Sequence, residues 1–254
     1  MSLFNRKKRS KRSTVDRFEN HLLTEASPFA VQEAYKTLRT NVIFSIPDTK
    51  CKTVVISSSL QHEAKSTTAI NLAIAFAQNQ SRVLLIDCDL RRPTIANNME
   101  LSQSPGLSNV LVGMNTVGEA IHHVYNGVDI MPAGDVPPNP SELLGSDRMQ
   151  QLLTILSEGY DYIILDTPPV CTVADATILA KRTSGVIMVV RQNVATQESV
   201  NEALQKLEFA ESKILGFVFT GVENDKQKSY KSHYGYGYGY SHAASQAKQK
   251  AKEK

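Results

Sequence analysis

Val54-Val55-Ile56-Ser57-Ser58-Ser59-Leu60-Gln61-His62-Glu63-Ala64-Lys65-Ser66-Thr67-Thr68 decides how the rest of the chain is read. A β-branched run ends in a short polar loop, and the loop ends in Lys-Ser-Thr at the start of a helix. That is the layout of a phosphate-binding loop, in which backbone N–H groups and the first helical turn surround a phosphate chain. Lys65 is expected to reach the β and γ phosphates of a nucleotide, and Ser66 to place its hydroxyl on Mg²⁺. The full pattern G-x-x-x-x-G-K-[ST] puts glycine at positions 59 and 64, where this chain has Ser59 and Ala64. Glycine before the lysine allows backbone angles that a Cβ resists, so the Ala64 methyl is expected to fit only on a helical dihedral. Weakened nucleotide binding is the expectation.

Outward from the loop, strands are predicted over 53–56, 83–86, 128–131, 162–166, 185–190 and 214–220. Helical spacing is predicted over 28–43, 66–78, 140–157, 173–180 and 196–209, with short helices and turns over 94–125. Pro140 follows Pro137-Pro138-Asn139 and sits where a helix start accepts proline. Strands that are apolar throughout, each followed by a helix, describe an α/β protein: a three-layer fold with a mostly parallel central sheet and helices on both faces. Ligands in that architecture bind at the C-terminal ends of the strands. Ser57, Asp87, Asp89 and Asp166 all fall at such ends.

The candidate site follows. Ser59, His62, Glu63, Ala64, Lys65, Ser66 and Thr67 are the expected nucleotide contacts. Ser66, Asp87 and Asp166 are the expected metal contacts. Lys65, Asp87 and Asp89 are the catalytic candidates, one aspartate touching the metal and the other orienting or deprotonating a nucleophile. Arg91 and Arg92 are candidates for phosphate or subunit contacts.

Length and charge set the frame. The 254 residues leave room for one large α/β domain plus tails: a basic N-terminal arm at 1–25, a phosphate-loop domain at 26–224 and a tyrosine- and glycine-rich tail at 225–254. Arg6, Lys7, Lys8, Arg9, Lys11 and Arg12 outweigh the whole chain's net charge of +3, so the remainder is net negative. That argues against nucleic acid as a partner of the body. The arm suits an anionic membrane surface, at roughly 1 kcal/mol per basic residue. Cys51, Cys88 and Cys171 have neither ligand nor disulfide spacing, as in a reduced cytoplasmic protein. No apolar run approaches the roughly 18 residues of a membrane span, so if the chain works at a membrane, something other than a span holds it there. After Glu223 the character changes. Five of the chain's nine tyrosines, Tyr230, Tyr234, Tyr236, Tyr238 and Tyr240, fall within eleven residues, with glycine between the last four, as in a flexible tail.

Over about residues 28–240 the chain resembles the bacterial tyrosine kinases (BY-kinases) of capsule and exopolysaccharide synthesis, within the phosphate-loop class that contains MinD and ParA. Leu84-Leu85-Ile86-Asp87-Cys88-Asp89-Leu90-Arg91-Arg92-Pro93 is similar to that family's second Walker motif, and Tyr162-Ile163-Ile164-Leu165-Asp166-Thr167-Pro168-Pro169 to its Walker B. Pro137-Pro138-Asn139-Pro140-Ser141-Glu142-Leu143-Leu144-Gly145-Ser146 and Val173-Ala174-Asp175-Ala176 are family-like as well. Glu33, Lys36 and Arg39 form one polar stripe on the first helix. They resemble the Glu-x-x-Arg-x-x-Arg motif that joins subunits into a ring, with Lys36 in place of the first arginine.

The resemblance implies an ATP- and Mg²⁺-dependent autokinase that phosphorylates Tyr230, Tyr234, Tyr236, Tyr238 and Tyr240 in trans within a homo-oligomeric ring. It implies a membrane-spanning adaptor of the chain-length-determinant type that recruits the cytoplasmic kinase to the inner face of the membrane, and a cognate tyrosine phosphatase. Each phosphate adds about −1.5 to −2 charge, which opposes assembly against acidic surfaces. The family reads Pro-Gly-x-Gly-Lys-[Ser/Thr] in the loop, where this chain has Gln61-His62-Glu63-Ala64-Lys65-Ser66. A weakly active or inactive regulatory member is therefore the alternative. A MinD- or ParA-like ATPase has no use for the tyrosine tail, and a scaffold that binds no nucleotide is the third option.

Overall fold

The computed structural model describes residues 21–47, 50–124 and 127–222. The strands among them are β1 Lys52–Ser58, β2 Val83–Asp87, β3 His122–His123, β4 Val128–Met131, β5 Tyr162–Asp166, β6 Gly185–Arg191 and β7 Ile214–Thr220. They form one sheet in the order β3-β4-β2-β5-β1-β6-β7. Every neighbouring pair is parallel except β3 with β4.

The sequence dictates both faces of that sheet. Val54, Ile56, Leu85, Ile164, Ile187 and Val189 point to one side, with the helices Phe29–Ser45 and Lys65–Ala77. Val55, Leu84, Ile86, Ile163, Leu165 and Met188 point to the other, with the helices Leu107–Leu111, Asp147–Gly159, Asp175–Ala180 and Gln197–Phe209. Side chains alternate along a strand, so a strand buried on both faces has to be apolar at every position. Three layers result.

The helix Lys65–Ala77 is buried from Thr68 through Phe76 because it is covered on its outer side too. The helix Phe29–Ser45 lies across it, and residues 21–23 dock beside it. The Leu23 amide donates to Asn71 Oδ1 at 2.8 Å, and Asn71 Nδ2 donates to the His21 carbonyl at 2.8 Å. Asn71 is tolerated inside because its amide is bonded on both ends. The end of the segment read as a basic arm is thus packed, whereas residues 1–20 and the five tail tyrosines lie outside the described residues. The chain divides after Gly221.

Three expectations need correction. The helix predicted over 140–157 is two helices, Pro140–Leu144 and Asp147–Gly159. Ser146 caps the second, accepting from the Met149 amide, while the Arg182 guanidinium takes the Gly145 and Ser146 carbonyls at 2.6 and 2.7 Å. The bond to Gly145 satisfies a carbonyl that a continuous helix would have used itself, while the Ser146 carbonyl also accepts from the Gln150 amide at 3.4 Å. The antiparallel strand β3 falls in the stretch 94–125, expected to hold only short helices and turns, and pairs with β4 at His122 and His123. The helix predicted from residue 173 begins at Asp175.

Candidate active site

β1 ends at Ser58, and the loop that follows delivers Lys65 as the first residue of its helix. Two residues in the loop are left-handed without being glycine: His62 at φ 66° and Ala64 at φ 68°. The Ala64 methyl therefore does not sit on the helical dihedral expected for it. A left-handed residue that carries a Cβ costs about 1–2 kcal/mol, so other contacts have to hold this turn. Glu63, between them, is fully buried and turned away from the cleft. Its carboxylate accepts from Ser59 Oγ and the Leu60 amide, both at 2.6 Å, and from the Arg191 amide at 3.0 Å. The side chains of Ser59 and Glu63, both expected to touch nucleotide, instead bond each other beneath the loop.

The charged centre lies at the ends of three adjacent strands. Asp87 of β2 is paired in register with Asp166 of β5, which neighbours β1. Lys65 Nζ lies 3.1 Å from Asp89 Oδ2 and 3.3 Å from Asp166 Oδ1. Ser66 Oγ donates to Asp166 Oδ2 at 2.6 Å. Asp87 is fully buried and accepts from the amides of Asp89, Thr94 and Ile95 at 3.0–3.1 Å. Burial, then the charge of Asp166, push Asp87 up to about 7 despite those amides and Lys65. Burial raises Asp166 as well, with Lys65 and then the Ser66 hydroxyl pulling it back. Burial works against the charged form of Lys65, but Asp166, Asp89 and Asp87 outweigh it and raise its pKa.

A cleft of about 310 Å³ opens over this centre, lined by His62, Ala64, Lys65, Ser66, Thr67 and Asp89, with Arg92, Pro168 and Pro169 on its walls. Asp87, Asp166, Ser59 and Glu63 lie below that lining. A larger groove of about 1170 Å³ runs alongside, between the helices Asp175–Ala180 and Gln197–Phe209, but neither Lys65 nor the three aspartates face it. The phosphate-loop chemistry belongs to the smaller cleft.

The family description "AAA domain" matches residues 51–215. Tyrosine-protein kinase YwqD of Bacillus subtilis is 38% identical over 221 residues, covering 86% of this chain and 93% of that protein. The chain belongs to the bacterial tyrosine-protein kinases. Among solved structures, the kinase domain of Escherichia coli tyrosine kinase ETK superposes with a TM-score of 0.74 at 34% identity, over 86% of this chain and 88% of that one. The chimerical protein CapA2B2 does so with a TM-score of 0.72 at 35% identity, over 76% and 85%.

Around this kinase site, Arg91 and Arg92 were expected as phosphate or subunit contacts, whereas Thr94, Arg191 and Thr220 were not found by sequence reasoning. Arg91, on the wall of the cleft, is bridged to Asp175: its Nε lies 3.1 Å from Asp175 Oδ2, and its Nη2 donates to Ser141 Oγ at 2.9 Å. Asp175 is fully buried, so this bridge ties three family-like motifs together. Arg92 Nη1 donates to Gln61 Oε1 at 3.1 Å, spanning the lip of the cleft. Thr94 Oγ1 donates to Ser66 Oγ at 3.2 Å. The loop backbone is held from the far edge of the sheet, where Arg191 Nη1 donates to the His62 carbonyl at 3.1 Å and Thr220 Oγ1 to the Glu63 carbonyl at 2.9 Å. Of the stripe expected to contact other subunits, Lys36 pairs with Glu33 at 2.7 Å. Arg39 Nη1 donates to the Ala75 carbonyl at 2.7 Å, near the end of the loop helix.

Proposed function

We propose that this kinase transfers the γ-phosphate of ATP to tyrosine hydroxyls of its own C-terminal segment, at Tyr230, Tyr234, Tyr236, Tyr238 and Tyr240, in trans within a homo-oligomeric ring. The reading extends to regulation of capsular or exopolysaccharide synthesis with a membrane-spanning adaptor, and to reversal by a cognate tyrosine phosphatase. The observation that supports it is the Lys65 ammonium held between Asp89 and Asp166 at the floor of the strand-end cleft.

Each residue has a role in that reading. Lys65 and the first amides of its helix hold the β and γ phosphates and take up their charge. Asp89, which lines the cleft, orients the incoming tyrosine hydroxyl and accepts its proton. The phenolic oxygen bonds to the γ-phosphorus as the bond to the β–γ bridging oxygen breaks, and ADP carries away that electron pair. Ser66, Asp87 and Asp166 would hold Mg²⁺, directly or through water. The fit rests on their chemistry: hard oxygen donors, with Asp87 pushed up to about 7 by burial and by Asp166. Among the described residues no group of three or more His, Cys, Asp or Glu forms a metal site by itself. When bound, Mg²⁺ neutralises charge on the β and γ phosphates. No helix among the described residues is long and apolar enough to cross a membrane, and the proposal takes membrane recruitment from the adaptor.

A weakly active member is the second reading, favoured by the left-handed His62 and Ala64. One experiment separates the two. The full chain is incubated with Mg-ATP and the adaptor's cytoplasmic segment, and phosphotyrosine is mapped by mass spectrometry. Tail phosphate well above a Lys65→Ala control is the expected result; none above it leaves the weak or inactive member.

A further inference from the structure

We propose that Glu63 is a positioning residue of the phosphate loop. Its buried carboxylate holds the His62-Glu63-Ala64 turn in the left-handed shape that glycines at positions 62 and 64 would otherwise supply. The proposal rests on the nucleotide-site reading above, because it concerns the shape that the loop presents to phosphate.

Left-handed backbone is strained for a residue with a Cβ and persists only where the surroundings over-determine it. Here two such residues stand one apart, at φ 66° and 68°, and Glu63 between them is bonded through both carboxylate oxygens and its carbonyl. One carboxylate oxygen takes Ser59 Oγ and the Leu60 amide, which closes the loop on its own first residues. The other takes the Arg191 amide at the end of β6. Thr220 at the end of β7 holds the Glu63 carbonyl, and the Arg191 guanidinium holds the carbonyl of His62. Ser59 Oγ lies 3.2 Å from Ser199 Oγ, in the first turn of the helix Gln197–Phe209, so the anchor extends to a third element. Glu63 is fully buried and is not part of the cleft lining. It acts through the backbone on either side of it.

Glu63→Gln keeps the size and turns one acceptor oxygen into an amide that cannot accept. Either the Leu60 amide or the Arg191 amide then loses its partner, while the Ser59 hydroxyl can turn to accept. The strained turn relaxes, and the apparent affinity for nucleotide falls by the fraction of loops still in the binding shape. If one loop in ten keeps that shape, the loss is about tenfold. Ala64→Gly removes the strain at one of the two positions and with it part of the need for the brace.

The test is a double-mutant cycle on the full chain, reading Mg-ATP affinity by calorimetry and thermal stability by circular dichroism. Glu63→Gln is expected to weaken binding about tenfold in the native background and less than about threefold when combined with Ala64→Gly. Ala64→Gly alone is expected to change affinity less than about threefold, since the braced loop already has its shape. Equal losses in the two backgrounds, or no loss from Glu63→Gln, would overturn the proposal. If the native chain binds no Mg-ATP, the nucleotide-site reading has failed on its own account. The brace is then read from the melts, where Glu63→Gln must lower the midpoint more in the native background than beside Ala64→Gly. Should Glu63→Gln not fold, Ser59→Ala replaces it in the same cycle with the same expected rescue.

Discussion

Replacing Lys65 by methionine takes away the ammonium that lies 3.1 Å from Asp89 and 3.3 Å from Asp166 while keeping most of the aliphatic stem. Three carboxylates, two of them fully buried, are left close together. Removing one partner of a buried pair costs about 3–5 kcal/mol when the other charge has to stay. A carboxyl has another recourse, because it can take up a proton. Burial already lifts Asp166, and Lys65 is the strongest influence pulling it back, so the methionine variant lifts it further. An acid whose folded pKa lies above its unfolded value of about 3.9 binds more protons in the native state, and stability falls as pH rises between those two values. The deficit of Lys65→Met is therefore expected to be below about 1 kcal/mol near pH 5 and to approach about 3 kcal/mol near pH 8. Urea unfolding of the full chain without Mg²⁺, at both pH values and with a common slope, measures it. A deficit that is equal at the two pH values, or larger in acid, would refute the reasoning.

Arg91→Met leaves the buried Asp175 carboxylate without its guanidinium and is expected to destabilise the chain by about 2 kcal/mol, below the full cost of breaking a buried pair because Arg91 is 39% exposed. Adding Asp175→Asn should recover at least half of that loss in urea unfolding. Gly134, at φ 82°, has no room for a Cβ, which would run into Asn109 Oδ1 and Ser108 Oγ. Gly134→Ala is expected to cost about 2 kcal/mol or more by thermal unfolding, whereas Gly118→Ala, with open space around it, should stay within about 0.5 kcal/mol.

The sheet was legible because its strands are buried on both faces. Val83-Leu84-Leu85-Ile86 and Tyr162-Ile163-Ile164-Leu165 have no polar alternation to obscure them, and each ends in an acid. Lys65, Asp87, Asp89 and Asp166 were placed together by local signals alone, a helix start and two strand ends, which a parallel sheet brings to one edge. The break at Gly145 and Ser146 has a local signal, a glycine followed by a capping serine, but apolar spacing continues through it and Arg182, which also takes the two carbonyls, is far along the chain. Arg91 was a candidate for phosphate or subunit contacts, and its bridge was hidden for the same reason. Its partner Asp175 is 84 residues away, and nothing in the spacing announces it.

The sequence by itself determined the layered sheet, the position of the loop at its edge, and the lysine, serine and aspartates that meet there. These follow from periodicity and from which residues end a strand, properties of a few neighbours. Tertiary structure decided the shape of the loop. Glycine is missing at positions 62 and 64, yet both residues adopt the left-handed backbone, because Arg191 and Thr220 reach the loop from two other strands and Glu63 turns inward to meet them. Local preference at one residue amounts to about 1–2 kcal/mol, and several hydrogen bonds from distant strands are enough to override it.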